Sequence, residues 1–328
     1  DLCVYVPEQA ICPDAVMKAC FAWDEEKGRG KLAGCDYNRV KACKLRGVLS
    51  QGLVMPLKDS PGMFFGQDVK DDLGITKYEP KIPGHFFGAG QPKIAGAFHG
   101  YTPSFDVENL KKFKDAFVEG EHVTVTEKIH GTCCIIGCFS PEAVEQFGFN
   151  SENLYKGRVF VGTKNLTKRV IVYNPNDDTN IYARVPASLG ILDALIKMQD
   201  ADLYYYPTLS CMCLLGEIFG ANVQDLGYGL KEPTFKAFEL WYSDLGNPSY
   251  FQAVPHLDIL GLFNIDRVPV LFSGPYSKDL HELNAGNSVI DPTQIREGIV
   301  IRSYCGDKLY KYVSEAYLLR KGNTTEYE

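Results

Sequence analysis

No apolar run in the 328 residues approaches the roughly 18 needed for a membrane-spanning helix, so no membrane partner is expected. The chain has no basic segment ahead of an apolar stretch at its start, so no signal peptide is expected and a cytoplasmic location is. It also lacks an initiator Met and opens in strand-like sequence, Asp1-Leu2-Cys3-Val4-Tyr5-Val6-Pro7. Upstream residues are therefore expected to be missing. Positive charge is short, with 34 Lys and Arg against 41 Asp and Glu, a net charge of −7. That argues against a protein that coats nucleic acid nonspecifically, while leaving a local basic groove open. The eleven cysteines lack the paired two-residue spacing of a zinc site; Cys3, Cys12, Cys20, Cys35 and Cys43 are irregularly spaced. Reduced, buried thiols are expected instead, since free Cys packs as a small hydrophobe. Internal repeats and low-complexity segments are absent as well.

What is present is an ordinary globular composition, 45% hydrophobic and 23% charged, in a length that suits two domains. Residues 1–75 hold short apolar runs broken by Pro and Gly, which suggests a small β-barrel or sandwich. Residues 72–106 turn to Gly, Pro and aromatics and read as an ordered linker. Val107, Leu110, Phe113 and Phe117 recur at helical spacing, which predicts a short amphipathic helix. Beyond it, strands are expected at Arg158–Lys164, Leu214–Gly220, Thr234–Trp241, Arg296–Arg302 and Lys308–Val313, and a helix at Leu189–Met198.

The second half is organised around Val123-Thr124-Val125-Thr126-Glu127-Lys128-Ile129-His130-Gly131-Thr132. Alternating β-branched residues predict a half-buried strand that ends on Lys128. Gly131 permits a sharp turn, and Cys133–Gly137 is expected to return as the second strand of a tight pair. Two lysines and two carboxylates on separate strands suit a metal–polyphosphate. A neutral lysine amine attacks phosphorus, a second lysine neutralises phosphate oxygens, and carboxylates hold a hydrated Mg²⁺ or Mn²⁺. An aromatic ring supplies a stacking surface for a base.

Glu127–Thr132 resembles motif I of the covalent nucleotidyltransferases, the superfamily of ATP-dependent RNA and DNA ligases and capping enzymes. It is most similar to the Deinococcus- and Naegleria-type RNA ligases. Phe160–Leu166 resembles motif Ia, Leu214–Gly220 motif III, Phe235–Leu240 motif IIIa, Glu297–Ile301 motif IV and Leu309–Val313 motif V. The opening residues and Leu45–Leu53 resemble that family's N-terminal OB-type module. The resemblance implies an α+β protein: an OB-like barrel over 1–75, a linker and helix over 76–118, and a nucleotidyltransferase domain over 119–328. That domain is expected as ATP-grasp-like antiparallel sheets with flanking helices.

The same resemblance implies the site. Lys128 takes AMP as a phosphoramidate. Glu217 and Glu297 are the metal-associated acids, Lys311 meets the α-phosphate with help from Lys308, and Phe238 sandwiches adenine. Glu127, Ile129, His130, Gly131 and Lys164 complete the nucleotide-binding set. The commonest form of motif I has Asp two residues after its lysine; this chain has His130, for which a hydrogen-bonding role is implied. The implied activity is an ATP-dependent RNA ligase that uses ATP and Mg²⁺ or Mn²⁺, forms lysyl-AMP and seals 3′-OH/5′-phosphate nicks. Its implied partner is a nicked duplex with RNA on the 3′-OH side, engaged by a monomer. Lys111, Lys112, Lys114, Lys164, Lys168 and Arg169 are candidates to line the duplex groove. A DNA ligase, a capping-type enzyme and an idle nucleic-acid-binding protein are the alternatives. The OB-type module stands against capping, because it precedes the catalytic domain here.

Overall fold

The computed structural model describes residues 3–7, 10–20, 23–30, 38–40, 43–45, 48–50, 52–56, 64–77, 107–113, 115–164, 172–254 and 257–320. Lys114, Lys168, Arg169 and most of the expected linker lie outside them. The chain divides into two compact units, Asp1–Pro83 with Glu315–Glu328, and Gly84–Ser314.

The first unit contains β1 (Cys3–Pro7), β2 (Ala10–Ile11), β3 (Trp23–Asp24), β4 (Arg29–Gly30), β5 (Cys43–Leu45), β6 (Val48–Ser50), β7 (Gly52–Pro56) and β8 (Thr76–Lys77). They pair as β1–β7, β2–β8, β3–β4 and β5–β6, so the described residues form separate two-stranded pieces and no closed barrel. Val4 and Val6 alternate inward on β1, and Leu53 and Met55 on β7. The helix Asp14–Ala19 adds Val16 and Met17 to the same small core. Period-two alternation on both strands of one pair fixes their register, because a slip of one residue would expose all four side chains.

The second unit is built from two five-stranded sheets. The first has the order β16 (Val270–Pro275), β10 (His122–Lys128), β17 (Gly298–Ser303), β18 (Leu309–Val313), β9 (Glu108–Asn109). The second has the order β12 (Val159–Gly162), β11 (Thr132–Phe139), β13 (Leu209–Phe219), β14 (Thr234–Asp244), β15 (Asn247–Ala253). All neighbours are antiparallel except β18 and β9. The helix Ile191–Tyr205 starts after Gly190, whose φ of 70° suits glycine, and buries Ile191, Leu192, Leu195 and Met198.

Two expectations are corrected. β10 and β11 are not a hairpin, because β16 and β17 occupy both edges of β10. With no edge left, β11 crosses to the second sheet and pairs with β12 and β13. Ile129–Gly131 is the crossing. Gly131 is required there: a Cβ would collide with the Ile218 carbonyl and crowd Glu217. Gly131→Ala is expected to lower stability by about 1–3 kcal/mol through overpacking. A urea melt beside a lysine-labelling assay checks it, since the crowded atoms belong to the candidate site.

The predicted helix over 107–117 is instead β9 followed by a single 3₁₀ turn, Leu110–Lys112. The Asn109 side chain accepts the Lys111 N–H at 3.0 Å, a local bond that competes with helix. Leu110 and Phe117 are buried as their spacing suggested. Phe113, on the same predicted face, is exposed, so the period failed and burial was read correctly only in part.

Candidate active site

Directly opposed residues of an antiparallel sheet share a face. Val123 and Val125 of β10 point into the core of the first sheet with Ile299 and Ile301 of β17. Thr126 and Lys128 therefore lie on the opposite face. Lys128 is paired with Gly298, Thr126 with Val300, and Val300 with Lys311, so both lysines emerge on that one face. Glu297 stands one residue ahead of β17.

The Lys128 Nζ lies 2.7 Å from Glu297 Oε1. Burial works against the ammonium, but the carboxylates of Glu297 and then Glu217 outweigh it and hold the amine above its ordinary value. Glu217 comes from β13 of the other sheet. Burial pushes its carboxyl up to about 8; Lys128 pulls it back and Glu297 adds repulsion. A site with a surplus buried acid is one that a cation would relieve.

That gives a signed expectation. The folded chain holds a proton on Glu217 that the unfolded chain releases near 4.5, so stability falls as pH rises from about 4.5 to about 8. Glu217→Gln keeps the shape and removes the charge. Without divalent metal it is expected to raise stability at pH 8 by about 1 kcal/mol, after discounting for the lost attraction to Lys128. Thermal melts at pH 5 and pH 8 check this, with little difference expected at pH 5.

His130 is held on two sides. Its backbone N–H donates to the Tyr228 hydroxyl at 2.7 Å, and its Nε2 lies 2.7 Å from Asp225 Oδ1. Its Nδ1 is 3.9 Å from Glu297 Oε2. Gln224 Nε2 donates to the Gly131 carbonyl at 3.3 Å, tying the crossing to the same loop.

Cys133 is opposed to Glu217 across β11 and β13. Burial pushes its thiol up to about 12, and Glu217 adds to the rise. Lys164 counters both through its charge and its backbone N–H, which places Lys164 beside Cys133. Phe238 falls at a register shift in β14, where Leu215 faces Glu239 and Gly216 faces Ala237. Such bulges re-aim a side chain. Half-buried, Phe238 packs against both the Leu215–Phe160 cluster and the Ile129–Tyr228 cluster.

Other sequence candidates are placed differently. The Glu127 carboxylate, on the far face of β10, accepts the Val289 N–H at 2.8 Å. Ile129 is buried against Phe219, Tyr228 and Val268. Lys308 is paired with Glu121 at 2.8 Å and sits over the Phe117 ring. Lys111 likewise sits over the Tyr312 ring.

Several contributors escaped the sequence reading. Asp225 and Tyr228 belong to a Gly-containing loop that reads only as a turn. Arg302 and Glu239 join the two sheets as an ion pair. Trp241 Nε1 donates to the Glu239 carboxylate at 3.0 Å, and Arg302 Nη2 donates to the Phe238 carbonyl at 3.2 Å. The one local signal among them was Arg302, a charge near the end of an otherwise apolar strand.

The described cysteines are free, as composition suggested. No described helix is long and apolar enough to cross a membrane. For a divalent cation the fit rests on Glu297 Oε2, which is buried and accepts no hydrogen bond among the described residues. No three His, Cys, Asp or Glu side chains converge on one point among those residues. The donors present thus suit a hydrated ion shared with phosphate more than an all-protein cage.

Two antiparallel sheets joined by a chain crossing that carries a lysine beside two acids define a nucleotidyltransferase fold. The RNA ligase family model matches residues 121–313, more than half of the chain, and the protein belongs to that family. Solved structures of Naegleria gruberi RNA ligase are similar. The one with pyrophosphate is 22% identical with a TM-score of 0.66, covering 97% of this chain and 86% of that chain. A glutamate-to-alanine variant with AMP and manganese is 21% identical with a TM-score of 0.68 over the same shares. A lysine-to-alanine variant with ATP and manganese is 21% identical at 0.67, also over the same shares. At these identities the likeness shows the fold. No curated protein sequence matches.

Proposed function

We propose that this protein is an ATP-dependent RNA ligase that works through a covalent lysyl-AMP on Lys128. The observation that carries the reading is the Lys128–Glu297 contact of 2.7 Å, with Glu217 acting on both groups from the opposing sheet. In the first step Lys128 Nζ attacks the α-phosphorus of ATP. An N–P bond forms, the bond to the bridging oxygen breaks, and pyrophosphate leaves with that electron pair. The amine must first lose a proton, and Glu297 is the base in contact with it. In the second step an oxygen of a 5′-phosphate displaces Lys128 from the AMP phosphorus. In the third a 3′-OH attacks the 5′-phosphate phosphorus, and AMP leaves.

Lys311, on the Lys128 face, neutralises charge on the α-phosphate, and Lys164 does so from the second sheet. Phe238 offers its ring to adenine. His130 and Gly131 shape the turn that presents Lys128, and Glu127 and Ile129 anchor that turn from behind. Lys308 supports β18 through Glu121. Mg²⁺ or Mn²⁺, held by Glu217 and Glu297, would neutralise the polyphosphate and favour the leaving group. Manganese accompanies ATP or AMP in several Naegleria structures.

The finer reading is sealing of 3′-OH/5′-phosphate nicks in a duplex with RNA on the 3′-OH side, by a monomer in the cytoplasm. Residues 1–75 grip the duplex, 76–118 link, and 119–328 carry the chemistry. The test is incubation with α-³²P-labelled ATP or GTP and Mg²⁺ or Mn²⁺, followed by a denaturing gel. An acid-labile protein label from ATP alone is expected, followed by sealing of nicked duplexes with an RNA 3′-OH strand. A label from GTP, or none from a folded chain, overturns the reading.

A further inference from the structure

The spacing Lys128-Ile129-His130 puts an imidazole where the commoner pattern has a carboxylate. The carboxylate has not vanished from the neighbourhood. Asp225, from the loop between β13 and β14, meets the far nitrogen of the ring, with Oδ1 2.7 Å from Nε2. The near nitrogen, Nδ1, stands 3.9 Å from Glu297 Oε2, the buried oxygen that accepts no hydrogen bond among the described residues. The ring is mostly shielded, with 11% of its side-chain surface exposed. Its backbone is fixed by the Tyr228 hydroxyl, and Tyr228 itself sits at φ 49°, an uncommon backbone for a bulky residue. Strain of this kind persists only where surrounding contacts over-determine it.

An imidazole that donates Nε2–H to a carboxylate presents Nδ1 as a lone pair, and a carboxylate behind a histidine is the usual support of a histidine that binds metal. Bonds of about 2.0–2.2 Å allow one cation to touch two atoms no more than about 4.4 Å apart. Nδ1 and Oε2 fall within that limit. We propose that His130 Nδ1 and Glu297 Oε2 form a mixed nitrogen–oxygen ligand pair for the divalent cation, with Asp225 as the positioning residue that aims the ring. Glu217, water and phosphate oxygens fill the remaining positions. Oxygen-only sites suit Mg²⁺, whereas a nitrogen ligand favours transition ions, so this site prefers Mn²⁺ over Mg²⁺ more strongly than its carboxylate counterpart.

The inference deepens the ligase reading and is tested apart from turnover. Mn²⁺ is bound to the full chain, alone and with α,β-methylene-ATP, and followed by electron spin echo spectroscopy on natural-abundance and ¹⁵N-histidine-labelled protein. A histidine nitrogen coupling is expected that changes with the label and is absent in His130→Asp and His130→Asn. Asp225→Asn is expected to weaken Mn²⁺ binding about 10–100-fold. His130→Asp is expected to cut the Mn²⁺-over-Mg²⁺ preference about tenfold. In His130→Asp/Asp225→Asn the second change should have no further effect, because no ring remains to be aimed; a merely structural Asp225 would still weaken binding there. Mn²⁺ bound without a histidine coupling, Mn²⁺ not bound under either condition, or full binding in Asp225→Asn overturns the proposal. None of these outcomes touches the ATP label on Lys128, and loss of that label in a chain that shows the coupling would sink the ligase reading instead.

Discussion

Lys128→Ala is expected to abolish the protein–AMP label, a loss of at least about 10³-fold, or roughly 4 kcal/mol of barrier. Among the described residues no other amine shares its position: Lys311 emerges on the same face but two strands away, and Lys308 is committed to Glu121. Lys128→Arg should fail equally, since a guanidinium keeps its proton and is no nucleophile. The informative comparison is a substrate whose 5′ end already carries AMP. Its sealing needs no lysyl-AMP, so Lys128→Ala should retain much of that step while losing the first. Loss of both steps, in a chain that melts like the parent, would mean that Lys128 acts as a binding charge and not as the nucleophile. Glu297→Gln should behave differently. It removes the proton acceptor in contact with Nζ and the charge that does most to hold the ammonium, so labelling falls at neutral pH and recovers part of its rate as rising pH deprotonates an amine that Glu297 no longer holds up.

The parts of this centre legible in the sequence were those carried by short-range pattern. Alternation through Val123–Thr126 gave β10 and placed Lys128 at its end, and apolar runs around Glu217 and Glu297 gave β13 and β17. Which strands pair was not legible, because period-two alternation states that a face is buried but not against what. The β10–β11 hairpin failed for that reason: tightness of the turn was visible, whereas the occupied edges of β10 depend on residues about 150 and about 175 positions away. The helix over 107–117 failed because one Asn side chain outcompeted a helical turn, leaving Leu110 and Phe117 buried but Phe113 exposed. Asp225 and Tyr228 carry no local signal at all; a loop of Asp, Gly and Tyr becomes part of the site only when it folds back on His130. Arg302 was visible as an odd charge in an apolar strand, yet its partner Glu239 lies on a strand of the other sheet.

That pair sets up the largest expected loss of stability. Arg302 and Glu239 retain 12% and 1% of their side-chain exposure, and burial lowers the guanidinium to about 10. Two desolvated charges are tolerable because each is also hydrogen-bonded, Glu239 by Trp241 and Arg302 to the Phe238 carbonyl. Removing one strands the other, which typically costs about 3–5 kcal/mol. Arg302→Met is therefore expected to lower the melting temperature by roughly 4–7 °C in a chain of this size. Replacing both, Arg302→Met with Glu239→Leu, should restore most of it, because a buried ion pair and a well-packed apolar pair are often close in energy. Activity then separates two roles. If the pair only glues the sheets together, the double variant labels Lys128 normally. If the guanidinium also sets the Phe238 backbone at its bulge, the double variant is stable but its KM for ATP rises by about tenfold. The second result is the expected one, since Phe238 lies where the register of β14 shifts and its carbonyl accepts a hydrogen bond from Arg302 of the lysine-bearing sheet.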